Sequence, residues 1–286
     1  MGLESVTKLC RSFTDPRSGF APERVAVEDS FVASLTELQE RRAFECRLTP
    51  ERALGSLDEA EAFLRDRGLL TRTTDSALPS LFEACHEPPY AEGRGGFGQW
   101  PRTKWWWGGA LEERDGIHAP QIHRGKTLFV TAETAALADP LARAELGRAE
   151  AAGGEAARLL RHLAEAGPSG LTDLQLELEL TPRELRSLRG PLERCGALFS
   201  RRVPHEADQG GHMVTSELAR WDQVFPEPAG AGGIERLVLA AVRAAVVAPE
   251  REVGRWFSWP VPRDLLERLV GEGRLVQPEA GWVAAA

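Results

Sequence analysis

Three times along the chain a leucine is followed four residues later by a glycine and two residues after that by another leucine. The copies are Leu64, Gly68 and Leu70; Leu192, Gly196 and Leu198; and Leu269, Gly273 and Leu275. Each copy closes an amphipathic helical pattern with a glycine and opens a short apolar strand. Glycine is favoured just past a helix end because it enters the left-handed conformation without a Cβ clash. The strand that follows then begins a hairpin. Helix, glycine cap and hairpin make up the second half of a winged helix, the helix-turn-helix variant whose third helix runs into a β-wing. The repeat therefore predicts an α+β, mainly helical fold of three tandem winged-helix domains, the first elaborated.

The middle copy is the most complete. Gly154 to Ala166 reads as its first helix, with Ala157, Leu160, Leu163 and Ala164 on one face. Residues 172–178 read as a short second helix with Thr172 as N-cap. Thr181-Pro182 supplies an N-cap and a proline at the first helical position, so a third helix is expected to run to Cys195. Residues 197–203 and 211–215 are the expected wing strands, joined by a polar loop at 204–210. In the C-terminal copy the helices are expected at 234–247, 250–256 and 262–272, with a clipped wing at 274–277 and 281–283. The N-terminal copy has Thr49-Pro50 as a helix start and a helix over 57–67. Its continuation over 100–131 is much larger than a wing. The expected organisation is a segment of unassigned role at 1–47, an elaborated domain at 48–150 with a Trp-rich and basic hairpin region, a winged helix at 151–225, a linker at 226–233 and a small winged helix at 234–286. Residues 151–154 read as a second linker.

Composition sets the compartment. The 286 residues carry 35 basic and 43 acidic side chains, a formal net charge of -8. No stretch approaches the roughly 18 uncharged apolar residues of a membrane span; residues 237–248 come nearest and are broken by Arg243. The first thirteen residues are charged where a signal peptide needs an apolar core, and Val6 stands where myristoylation needs Ser or Thr. A cytoplasmic protein is expected. Cys10, Cys46, Cys85 and Cys195 have no paired spacing, which predicts reduced thiols rather than disulfides or a zinc ribbon.

An acidic total argues against nucleic acid, but the charge is uneven. Residues 31–90 hold seven basic and eleven acidic side chains, whereas residues 181–204 hold six Arg against two Glu and residues 94–126 six basic against three acidic. On the third helix of the middle copy Leu185, Leu188 and Leu192 form one stripe. Arg183, Arg186 and Arg194 point about 100 to 180° away from it, and Arg189 lies on the same helix. In a winged helix that outward face enters the major groove, and Arg201 and Arg202 on the first wing strand can hold flanking phosphates. The alternative is a solvated face for protein contacts, because nearly all basic residues are arginine; the local excess in an acidic chain favours nucleic acid.

The segment Trp105-Trp106-Trp107, with Arg102 and Lys104 before it, reads two ways. It can be a basic aromatic platform for an unpaired or flipped base, with Trp105 and Trp107 stacking. It can instead fill the first domain's core, the reading preferred for Trp100 and Trp106. His123-Arg124-Gly125-Lys126-Thr127 echoes a phosphate loop, but Pro120 occupies the first glycine position and the strand follows rather than precedes it. A turn between two strands presenting Arg124 and Lys126 to phosphate, or a plain hairpin turn, is expected. No HExxH, GxSxG, zinc-deaminase signature or cysteine pair is present, and His86-Glu87 and His205-Glu206 read as solvated loop residues. No cofactor or metal site is expected.

The order Gly68-Leu69-Leu70, Leu78-Pro79-Ser80-Leu81-Phe82-Glu83-Ala84, Trp105 to Trp107, His123 to Thr127, a full winged helix and a short C-terminal one resembles the AlkZ-related proteins. These are distant relatives of the crosslink-repair DNA glycosylases AlkZ and YcaQ. The resemblance runs from Leu48 to Val283; residues 1–47 have no counterpart. It implies tandem winged helices, double-stranded DNA as partner, damaged or distorted duplex included, and a place in repair of damaged bases. The glycosylases carry a Gln-x-Gln or Gln-x-Asp pair in an N-terminal segment, which this chain lacks. Gln121-Ile122-His123 and Gln175-Leu176-Glu177 are the nearest strings and sit in other contexts, so no catalytic residue is carried over. A noncatalytic transcriptional regulator or interaction scaffold is the alternative.

Overall fold

A computed structural model describes residues 33–286 except 90, 92–97, 99–100 and 207–211; for residues 102–105, 204–206 and 212–215 it describes the backbone alone. The described chain belongs to one compact unit, Val32–Ala286. Its elements run in the order α1 (Leu35–Glu45), a 3-10 turn (Pro50–Arg52), α2 (Leu57–Arg67), β1 (Leu69–Thr71), α3 (Leu81–Cys85), α4 (Arg102–Glu112), β2 (Ile117–His118), β3 (Leu128–Thr131) and α5 (Ala132–Ala152). There follow α6 (Gly154–Ala166), β4 (Ser169–Gly170), α7 (Leu171–Glu177), α8 (Pro182–Arg194), β5 (Leu198–Glu206), β6 (His212–Arg220) and α9 (Trp221–Val224). The chain ends with α10 (Ile234–Ala245), β7 (Val247–Pro249), α11 (Glu250–Val253), α12 (Leu265–Gly271), β8 (Leu275–Val276) and β9 (Trp282–Ala285). This is an α+β protein.

The described strands form three antiparallel sheets of three strands, and the order is the same in each: β1-β3-β2, β4-β6-β5 and β7-β9-β8. The last strand always lies in the middle. The repeat glycines take the conformation their position predicts, with φ of 76° at Gly68, 80° at Gly196 and 68° at Gly273. Each lies just past a helix end, α2, α8 and α12 in turn, and hands the chain to a strand. Only β5 and β8 open the expected hairpins, with β6 and β9. Strand β1 runs on into α3 and pairs with the distant β3, so the first copy of the repeat falls at a different place in its unit from the other two. Without a Cβ this turn is free of strain.

Helix α5 organises the core. Its Ala135, Ala138 and Ala142 pack into one cluster with Leu237, Val238 and Ala241 of α10 and with Trp221, Trp256 and Trp259. Its Leu146 belongs to a second cluster with Leu159, Leu160 and Leu163 of α6 and Leu185 and Leu192 of α8. A third cluster joins Phe63 and Leu64 of α2 to Phe82, Leu111 and Phe129. Alanine dominates the inward face of α5 because neighbouring helices cross it closely.

Two polar features fix those crossings. Asp139 on α5 is 2% exposed. Its carboxylate accepts from the Trp221 indole Nε1 at 2.8 Å, the Ala229 backbone N–H at 2.9 Å and Arg143 Nε at 2.8 and 3.0 Å. Arg220, at the end of β6, donates to both carboxylate oxygens of Asp222, to Glu150 at 2.6 Å and to the Leu160 carbonyl at 3.1 Å. Charges this deep persist because every acceptor or donor is answered.

The segment read as a linker, residues 226–233, is therefore docked. Gly233 N–H donates to the Leu137 carbonyl at 2.8 Å. A Cβ on Gly232 would lie 2.7 Å from the Leu137 carbonyl oxygen and 2.8 Å from that of Ala136. Pro140 lies inside α5 next to this crossing, where it cannot donate to the Ala136 carbonyl. The other expected linker, 151–154, is a single break at Gly153 between α5 and α6, since its alanines extend the helix.

Further expectations shift at their ends. In the middle unit the short helix starts at Leu171 with Gly170, not Thr172, as N-cap. On α6 it is Leu159, not Ala164, that is buried beside Leu160 and Leu163. The hairpin strands are longer than expected, with residues 204–206 in β5, while residues 207–211 lie outside the described part. Helix α10 stops at Ala245, where Val246 takes a positive φ (67°) and releases β7; α11 and α12 are shorter than predicted. Thr49-Pro50 starts only a 3-10 turn. The Trp-rich segment is a helix, α4, rather than a hairpin.

The described part of the N-terminal segment is a helix with a Ser34–Glu37 capping box. It packs through Leu38 and Cys46 on Val246, Val247 and Ala284. Among the described residues the cysteines are free, and burial pushes the Cys46 thiol up to about 11. No described helix is long and apolar enough to cross a membrane, and no described cluster of His, Cys, Asp and Glu is placed to hold a metal.

Replacing Asp139 by Ala leaves the Arg143 guanidinium, the Trp221 indole and the Ala229 amide without their common acceptor. Chemical denaturation should show a loss of about 3 kcal/mol; an unchanged midpoint would contradict the role given to this carboxylate.

Candidate nucleic-acid interface

Helix α8 begins where the sequence places it. Thr181 Oγ1 accepts from Glu184 N–H at 3.3 Å while the Glu184 carboxylate accepts from the Thr181 N–H at 2.8 Å, a reciprocal cap that satisfies two of the helix's open donors. Its apolar stripe is inward: Leu185 and Leu192 are buried and Leu188 packs partly against the same cluster. The opposite face carries Arg183, Arg186 and Arg194, all exposed. Arg189 is half-buried, 4.0 Å from Glu193. Burial pushes the Glu193 carboxyl up despite Arg189.

The second basic segment is a turn, as expected. His123 and Lys126 exchange backbone hydrogen bonds across Arg124 (φ 52°) and Gly125 (φ 73°). Positive φ at both central positions is the hairpin-type turn that favours glycine at the second. This turn is anchored. His123 is 1% exposed; its Nδ1–H donates to the Trp256 carbonyl at 2.6 Å, and its Nε2 lies 3.0 Å from Asp75 Oδ1. Lys126 pairs with the other Asp75 oxygen. Arg124 donates to the Arg255 carbonyl at 2.8 Å and the Asp75 carbonyl at 3.2 Å. Both cations remain exposed, but each is held to the protein.

The two basic segments meet first at this turn. A Cβ on Gly125 would lie 2.5 Å from Arg194 Cδ and 2.9 Å from its Cγ. The aliphatic stem of Arg194 therefore crosses the turn that carries Arg124 and Lys126.

They also meet at α4 and β5. Arg202 Nη1 comes within 3.4 Å of where a Gly109 Cβ would stand. Arg201 opposes Glu217 in the β5–β6 ladder and pairs with it at 2.9 and 3.2 Å. Trp106, Gly109, Ala110, Glu112 and Glu113 face Arg201, Arg202 and Val203 across a cleft of about 460 Å³. Burial raises the Glu112 carboxyl, outweighing Arg72 at 3.3 Å and the more remote Arg202.

Trp106 was expected in the core and is instead 72% exposed. Trp107, expected as a stacking surface, packs partly buried against the cluster of Leu54, Phe63 and Phe129. Once the segment is a helix, Trp107 shares an inward stripe with Leu111 and Trp106 is turned off it. Trp100 and the side chains of Arg102, Lys104 and Trp105 lie outside the described residues. Asp75 and Glu112 were not singled out from sequence: each is one carboxylate in an unremarkable stretch, and its partners are 48 to 51 or 40 residues away.

No protein-family model, no characterised protein and no solved structure matches the chain.

Burial pushes the Asp75 carboxyl up, but hydrogen bonds from Lys126 and His123 outweigh it and hold it below its ordinary 3.8. Its contribution to stability is complete above that value and is lost as pH falls below it. Asp75→Asn should cost about 2 kcal/mol near neutral pH and flatten the acid limb of a melting-temperature profile. An acid limb identical to the unaltered protein's would contradict this.

Proposed function

We propose that the chain is a cytoplasmic DNA-binding protein built of tandem winged helices, related to the AlkZ- and YcaQ-like glycosylases and directed at distorted or damaged duplex. The winged-helix reading is supported by three sheets of identical strand order, with a repeat glycine leading into β1, the first strand of its sheet, and into β5 and β8, the second strands of theirs. In the middle unit α8 takes the place of the recognition helix and β5–β6 that of the wing.

One observation carries the DNA reading: the Arg194 stem lies against Gly125, so the outward arginines of α8 and the cations of the 123–126 turn form one surface. Separately, each basic segment is too small to outweigh a chain of net charge -8. Together they form a local positive patch that can track a phosphate backbone. Arg183 and Arg186 are placed for the duplex itself, and the anchored Arg124 and Lys126 for flanking phosphates. No glycosylase catalytic residue is carried over to this chain, and the proposal concerns recognition of the duplex.

Arg183 and Arg186 are exposed, so replacing both by Glu should leave the fold intact while reversing charge at the centre of the patch. The double variant should lose duplex binding at low salt in an anisotropy titration. Affinity equal to that of the unaltered protein would overturn the proposal.

A further inference from the structure

The cleft between α4 and β5 lies beside the α8 surface and has a different chemistry. Trp106, Gly109, Ala110 and Glu113 follow one another along one face of α4. Gly109 and Ala110 are small, so a notch opens between a large indole and a carboxylate. The wall opposite is β5, with Arg201, Arg202 and Val203. Arg201 is committed to Glu217, whereas Arg202 leans over the notch at Gly109. At about 460 Å³ the space falls within the usual range of small-ligand sites.

We propose that this cleft is a subsite for one unpaired nucleotide of a DNA strand, its base stacked on Trp106 and its phosphate held by Arg202. The inference rests on the DNA-binding reading above and names what the site adds to it. An indole 72% exposed at the mouth of a notch offers an aromatic face, which any base can stack on. The guanidinium of Arg202 suits a phosphate. Glu112 and Glu113 line the far side and repel a second phosphate, so the base edge rather than the backbone faces them. Arg72 donates to the Glu112 carboxylate at 3.3 Å. A fully paired duplex presents no free base face and leaves the cleft empty. The preference for distorted DNA is thereby assigned to a particular side chain.

The test compares a duplex carrying one bulged deoxyadenosine with the same duplex fully paired, using the full chain at low salt. The unaltered protein should bind the bulged duplex more tightly. Trp106→Ala should weaken binding to the bulged duplex by about tenfold and leave the paired duplex unchanged, while Trp106→Phe should retain most of the preference. Arg183→Glu with Arg186→Glu should weaken binding to both. If Trp106→Ala keeps the full preference for the bulge, the subsite is overturned while duplex binding stands. If the unaltered protein binds neither duplex, the DNA reading fails and dAMP becomes the probe. Fluorescence quenching by dAMP that disappears in Trp106→Ala then supports the nucleotide site, and quenching equal in both proteins overturns it.

Discussion

A buried carboxylate on the longest helix of the described chain sets the geometry of the remainder. Asp139 accepts from the Trp221 indole at the end of the middle unit, from the Ala229 amide of the following segment and from Arg143 on its own helix. An ionised group at this depth is tolerated only when its lone pairs are satisfied. The middle unit and the segment leading to α10 therefore have one favourable position against α5. The close approach of Gly232 to the Ala136 and Leu137 carbonyls fixes the same segment sterically. Polar and packing constraints thus act on the same few residues of α5.

That rigidity matters for the surface. The α8 arginines belong to the middle unit, whereas the 123–126 turn is held by Asp75 and by the Trp256 and Arg255 carbonyls of the C-terminal unit. The Arg194–Gly125 contact spans the two. With flexible linkers the two basic segments would meet only in a fraction of conformations. With α5 as a common spine they stay adjacent, so the patch proposed above keeps its shape in a chain that is acidic in total. Polar residues far from any partner thereby shape an electrostatic surface.

Much of the fold was legible where local chemistry and tertiary packing agree. Thr181-Pro182, the Leu57–Arg67 pattern and Gly154–Ala166 mark helices that the structure reproduces, because a cap, a proline or an apolar stripe acts within one turn of chain. Gly68, Gly196 and Gly273 were legible for the same reason. The Trp segment was not: three bulky aromatics followed by Gly108-Gly109 suppress helix propensity, and the helix is stabilised by packing of Trp107 and Leu111 on a distant cluster. Residues 226–233 have a linker's composition, and only the crossing with α5 turns them into a docked strap. Apart from Arg143, one turn on from Asp139, the side-chain and amide partners of the carboxylates Asp75, Glu112 and Asp139 lie 40 to 90 residues away, a separation at which a single sequence carries no signal.

The proposed surface presents few cations that are not already held by carboxylates or carbonyls, so its contact with DNA is expected to be modest and strongly dependent on ionic strength. The most direct measurement is the slope of log Kobs against log salt concentration for duplex binding by the full chain. If Arg183, Arg186 and Arg194 each neutralise one phosphate, the slope is about -3. A slope near zero, or no duplex binding at low salt, would contradict a phosphate-facing α8.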